Sequence, residues 1–224
     1  MPSIETKTTI ILFGSTHLGV DTAPVYIDRY QEIIREINPD IICAELSPEQ
    51  LAGTATCHSK PEYEAAVLPV ARELNIPVVP IQMDNENGSK WEKDKNKTLE
   101  EMTATPQGEF YAQFNEVVSE AMVANLIKVL QTPEGIEIIQ LRAYDLLMVE
   151  PEYAGMRRFF PDYMKLSDEW NRYFLDRIEE TAAQNPGSRI MVIAGAFHKY
   201  WLWDELEKRS DIILHNLQSF RQNM

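Results

Sequence analysis

Two stretches of the chain end alike. "TTIILFGSTHLG" and "RIMVIAGAFHKY" are each an apolar run that stops at a glycine, Gly14 or Gly195, with a histidine three residues on, His17 or His198. Glycine there lets the backbone turn sharply or approach a ligand, and histidine can take a proton, give one, or ligate a metal. Glu45 interrupts a third such run, "IICAEL", where a charge is costly unless paired or ligated. Asp84, directly after "IPVVPIQM", offers a second carboxylate. Two histidines and a glutamate with an open position are a set that catalytic zinc uses, and these borderline ligands also suit Mn or Co. The same residues without a metal can serve as general base, orienting acid and electrostatic stabiliser for attack by water. Residue types and spacing leave both versions open.

For these side chains to act together, the runs that carry them must end at one edge. The first part of the chain predicts a βαβαβ pattern: strands at 8–14, 40–46 and 76–83, helices at 24–37 and 61–75. Ser47 and Pro48 are placed as N-cap and first helical residue, Pro69 should kink its helix, and the prolines of 76–83 argue for an edge position or frayed ends of that strand. "DNENGSKWEKDKNK" is expected to be a polar loop. Residues 99–184 carry helical periodicities and no convincing strand, and the last of these helices is expected at 167–184 with Ser167 as its cap. Trp170, Phe174 and Ile178 share one face of it, with Asn171 beside that face. Strands at 189–195 and 211–217 flank an amphipathic stretch at 199–209. The expected fold is α/β: a mainly parallel sheet with helices on both faces, and a large helical insertion, 99–184, before the last two strands. Residues 1–224 then form one α/β domain with that insertion as a lid. Ligands of such sheets sit beyond the carboxyl ends of the strands, which collects His17, Glu45, Asp84 and His198, with Gly14 and Gly195 as close-approach positions.

Composition narrows the partners. A formal charge of −14 repels a phosphate backbone and no basic stripe offsets it, which argues against nucleic acid. No run of about eighteen apolar residues and no basic leader is present, so the chain is expected to be cytoplasmic, without a membrane. Cys43 and Cys57 have no metal-ligand spacing and are expected as reduced thiols. Structural roles compete at each position. A single G-x-x-H can be a capped loop, Glu45 can pair with a nearby arginine, and Asp-Asn after a strand is ordinary turn chemistry. His58 and His215 are taken as structural, as are Trp201 and Trp203, which should seat their helix on the sheet.

With these residues assembled, the chain resembles the superfamily that groups TraB and GumN-like proteins, the TIKI Wnt-cleaving proteases, the ChaN haem-binding lipoproteins and the erythromycin esterases. That family carries a G-x-x-H after the first strand, a glutamate after the second and another G-x-x-H after a late strand. Here they read Gly14-Ser15-Thr16-His17, Glu45 within "CAELSP", and Gly195-Ala196-Phe197-His198. The resemblance spans both ends of the α/β core and says little about the helical middle. It also implies an acidic residue after the third strand, matched by Asp84, and an Arg-Asn pair on the helix before the second motif. "EWNRYF" supplies Asn171 but has Trp170 in place of the arginine, so an anion-stabilising arginine would have to come from Arg142, Arg157 or Arg158. The resemblance implies a hydrolase of peptide or ester bonds acting on a small-molecule or peptide substrate. His17, Glu45 and His198 would hold a divalent metal (Mn, Co or Zn) or activate water directly, with Asp84 and Asn171 in support. The alternative is a non-catalytic small-molecule or haem-binding protein using the same cleft.

Overall fold

A computed structural model describes residues 7–17, 24–132 and 134–224, the side chains of 114–123 excepted. The amino-terminal "MPSIET", read above for a leader, lies outside the described residues. The chain begins with β1 (Thr8–Ser15), α1 (Pro24–Ile37), β2 (Ile41–Ala44), the short α2 (Pro48–Leu51), a π-turn at Tyr63–Val67 running into α3 (Leu68–Glu73), and β3 (Val78–Pro80). Helices α4 (Asn85–Thr103), α5 (Pro106–Leu130), α6 (Gly135–Ile138) and α7 (Arg142–Tyr144) follow, then a second π-turn at Asp145–Val149, α8 (Glu150–Phe159) and α9 (Pro161–Gln184). The sheet resumes with β4 (Arg189–Gly195), α10 (Ala196–Leu206), β5 (Ile212–His215) and a closing α11 (Leu217–Gln222).

All strand pairs are parallel, in the order β3-β2-β4-β1-β5, so β3 is an edge strand as its prolines require. The sheet is covered on both faces. On one, Ile11, Phe13, Ile42 and Ile193 pack against the apolar stripe of α1 (Tyr26, Tyr30, Ile33, Ile34, Ile37) and against α3 and α11. On the other, Ile10, Leu12, Cys43 and Val192 meet Phe174 and Ile178 of α9 and Trp201 and Leu202 of α10. Successive residues of β1 thus bury on opposite faces, which explains its unbroken apolar run. Both cysteines are buried and free. Among the described residues no helix is long and apolar enough to cross a membrane.

Local rules account for several boundaries. Ser47 caps α2 in a full capping box with Gln50. Pro69 cannot donate to the Ala65 carbonyl; that oxygen instead accepts from Gln31 Nε2 at 2.9 Å, and the helix absorbs the proline as a π-turn without breaking. Three expectations need correction. The stretch 84–97 is not a loop but the cap and most of α4: Asp84 caps the helix by accepting from the Asn87 N–H at 2.8 Å, and Trp91 anchors it to α9. The helical segment therefore starts at 85, not 99. Ser167 is interior to α9, which begins at Pro161 because proline fits the first turn. And α10 starts at Ala196, directly after β4, so His198 sits in a helix and not in a loop.

One contact ties the helical segment to the sheet. β5 pairs with β1 only as far as Ile11. Beyond it, the Gln140 side chain takes the vacant partner's place: its Oε1 accepts from the Gly14 N–H at 2.6 Å and its Nε2 donates to the Gly14 carbonyl at 2.9 Å.

Candidate active site

β1, β4 and β2 are neighbours, and Ser15 pairs with Gly195 while Ala44 pairs with Ile193. Their carboxyl ends therefore stop side by side. This places Glu45, the residue after β2, between the two histidines: His17 Nε2 is 3.9 Å from Glu45 Oε2 and His198 Nε2 is 4.0 Å from Glu45 Oε1. Gly195 makes the convergence possible. A Cβ there would lie 3.1 Å from His17 Nε2, 3.4 Å from His198 Cδ2 and 3.5 Å from Glu45 Oε2. Its N–H donates to Glu45 Oε2 at 2.6 Å. Gly14 plays a different part, since a Cβ there would press on the buried Lys199 side chain at 3.2 Å. Lys199 is paired with Asp145 at 2.9 Å.

The two G-x-x-H motifs are alike in sequence and unlike in backbone. His198 is helical, whereas His17 has φ 55°, a left-handed conformation that costs a non-glycine residue roughly 1–2 kcal/mol. The strain is held by polar contacts: His17 Nδ1 lies 2.8 Å from Glu62 Oε1, and its N–H donates to Ser15 Oγ at 3.3 Å. Glu62 is fully buried and also accepts from Ser15 Oγ at 2.5 Å. His198 Nδ1 is 2.5 Å from Oδ1 of the fully buried Asn171. A carboxylate and an amide oxygen can only accept, so each imidazole carries a proton on Nδ1 and turns Nε2 toward Glu45.

Glu45 is itself clamped. Lys60 Nζ stands 2.9 Å from Glu45 Oε1 as an ion pair and donates to the Glu45 carbonyl at 2.8 Å and to Gln82 Oε1. Burial pushes the Glu45 carboxyl up, but Lys60, then His198, His17 and the Gly195 N–H, overcome this and hold it at about 2. The histidines are driven apart. Burial lowers His17, yet its Glu62 hydrogen bond and the Glu45 and Glu62 charges leave it above 6.5. For His198 burial prevails over the attraction of Glu45, and it falls below 6.5.

The expected residues distribute as follows. His17, Glu45 and His198 are brought together, and Asn171 orients His198. Asp84 lines the same cavity, but its carboxylate is engaged in capping, with Oδ1 and Oδ2 on the Asn87 backbone and side-chain nitrogens. None of the three arginines faces the site. Arg142 pairs with Asp204 and lies 3.7 Å from Asp145, Arg157 bonds Asp168 at 2.8 Å, and Arg158 lies over Phe159. The partner of Glu45 is a lysine where an arginine was considered. Lys60 and Glu62 were not foreseen. Glu62 left a signal: with Ala66 and Val70 it lies on the apolar face of its helix, where a carboxylate needs a reason. Nothing in "HSKPEY" marks Lys60.

Above the site opens a cavity of about 730 Å³, walled on one side by Glu45, Lys60 and His198 and on the others by α4, α8 and α9. A volume of that size suits a small-molecule or short peptide substrate. In kind, the donors fit a divalent cation: two Nε2 lone pairs with oriented outer nitrogens, and a carboxylate. In spacing they are open. Ligands at about 2.1 Å around a tetrahedral ion stand about 3.4 Å apart, and among the described residues no three such side chains form a ready cluster. Comparison with protein families, curated proteins and solved structures returns no match to this chain.

Proposed function

We propose that the cleft is the active site of a hydrolase of ester or peptide bonds in which His198 activates a water held against Glu45. One observation carries the reading: two imidazoles flank one ionised carboxylate, each with its outer nitrogen tied, and their environments push their proton affinities in opposite directions. Separations of 3.9 and 4.0 Å are too long for direct hydrogen bonds and are spans that one water bridges. Neutral His198 takes a proton from that water at Nε2, the oxygen attacks the carbonyl carbon, and the bond to the leaving atom breaks as His198 returns the proton to it. Protonated His17, on the other side of Glu45 from His198, supplies a positive charge for the developing oxyanion that no arginine provides.

A metal-dependent version rests on a different observation, the two Nε2 atoms turned to a common carboxylate. His17, Glu45 and His198 would hold a cation of the Zn, Mn or Co class, and the ion would supply a more acidic water and a Lewis acid for the carbonyl. Glu45 would then share its oxygens with Lys60 and Gly195. An ester and peptide panel assayed with chelator and with each metal separates the two versions. Activity that survives exhaustive chelation sinks the metal version; stoichiometric metal in the purified protein and activity that returns only with metal sink the first. No turnover under any condition, with a Soret band in the visible spectrum, would favour a haem binder over a hydrolase. The two free, buried cysteines support a reducing, cytoplasmic setting for this activity.

A further inference from the structure

We propose that the substrate joins a polar reacting head to an uncharged apolar tail, the tail lying among Trp91, Trp170, Tyr111, Tyr153, Met156 and Met164. For the head the proposal rests on the hydrolase reading; for the tail it stands on the walls alone. Trp91 and Trp170 meet with ring centroids 4.3 Å apart, Trp170 lies 5.9 Å from Phe174, and Phe174 lies 5.0 Å from the His198 ring. A continuous line of rings thus runs from the cavity wall to the imidazole that faces Glu45. Trp91 spends its only donor on the Leu166 carbonyl at 2.9 Å, so its ring asks nothing polar of a ligand. The methionines add an adaptable surface, suited to a tail of variable shape. Among the described residues no arginine lines this space. Of the two lysines that do line it, Lys60 is paired with Glu45 and Gln82 at the head end, and Lys95 lies over the Trp91 ring, 5.3 Å from its centroid. An anionic tail would find carboxylates instead, since Asp84, Glu92 and Glu152 share the walls.

Two measurements on the full chain test this. The first is binding of the neutral fluorophore N-phenyl-1-naphthylamine, read by energy transfer from tryptophan. The second is the ratio of kcat/KM for p-nitrophenyl octanoate over butanoate. Each methylene moved from water to an apolar wall is worth up to about fourfold, so we expect the octanoate preferred by at least tenfold. We expect the fluorophore to bind the parent and Trp170→Phe, and to bind Trp170→Arg at least tenfold more weakly with an unchanged circular dichroism spectrum. Fluorophore binding lost in Trp170→Arg upholds the apolar wall even if no ester is hydrolysed, in which case the hydrolase reading alone fails. Hydrolysis without chain-length preference, or fluorophore binding that is absent or indifferent to Trp170→Arg, overturns the proposal and leaves the hydrolase standing. If Trp170→Arg does not fold, Trp91→Gln carries the same expectation.

Discussion

Removing the Lys60 ammonium while keeping its volume, as in Lys60→Met, should strand the Glu45 carboxylate. The two groups are 2.9 Å apart and nearly closed to solvent, and breaking a buried pair on one side costs about 3–5 kcal/mol. A second route gives a similar size: a carboxyl held near 2 against an ordinary 4.5 represents about 3 kcal/mol of stability at pH 7. Lys60 is the largest of the groups that hold it there. Because the folded-state value is depressed, that stability is complete above about pH 4.5 and is lost as pH falls toward 2. Urea unfolding at pH 7 should therefore show Lys60→Met about 3–5 kcal/mol less stable than the parent. The deficit should shrink between pH 4.5 and 2 as Glu45 is protonated in both proteins. Adding Glu45→Gln to Lys60→Met removes the stranded charge and should restore about 2 kcal/mol or more, a coupling within the range for contacting residues. A cost below about 1 kcal/mol, typical of exposed pairs, or a double variant no better than the single, would refute the clamp and with it the ionised Glu45 on which the chemistry depends.

Asp84→Ala should cost about 0.5–2 kcal/mol in the same assay, the loss of a helix cap, and change kcat/KM by less than threefold; a larger kinetic loss would return Asp84 to the site. Asn171→Ala should lower activity about 10–100-fold, as loss of an orienting partner does, with the far-UV spectrum unchanged, whereas unaltered kcat would show that His198 needs no such partner. Gly195→Ala has an allowed backbone, φ −53° and ψ 144°, so its effect is steric: about 1–3 kcal/mol from overpacking and loss of activity, checked by unfolding and assay together. In the metal-free version activity needs His198 neutral and His17 protonated. The pH profile should rise below 6.5, as His198 loses its proton, and fall above 6.5, as His17 does. A metal site needs both imidazoles neutral and should show the rise alone.

The alternation of apolar runs with an amphipathic helix such as 24–37 was enough to place the sheet, because a strand buried on both faces has few other ways to be written. Two prolines left β3 either an edge strand or one with frayed ends, and it lies at the edge. What the types and spacing could not convey is that one short motif would adopt two backbones: Gly195 is followed by a helix that needs no further signal, while His17 is left-handed because Glu62, distant in sequence, holds its ring. Charged "DNENGSKWEKDKNK" read as a loop since its helix has one solvated face, a single aromatic anchor and a cap that looks like a turn. Pro161 started α9 six residues before Ser167 could. Asn171 was visible beside an apolar face; Lys60 was not, since a lysine in a polar connection carries no mark of burial.

Gln140 sits 126 residues beyond the glycine whose peptide it completes, so the end of the strand that bears His17 has no finished partner until most of the chain exists. During synthesis β1 can be made early, but its carboxyl end must wait for Gln140 and for β4 on its other side. Contacts of such separation slow folding, and here they make the histidine loop a late event. Excising the helical segment would therefore leave no smaller protein with the same cleft laid open. It would leave a strand end with two unanswered backbone groups beside a strained histidine, and the site would be lost along with its cover.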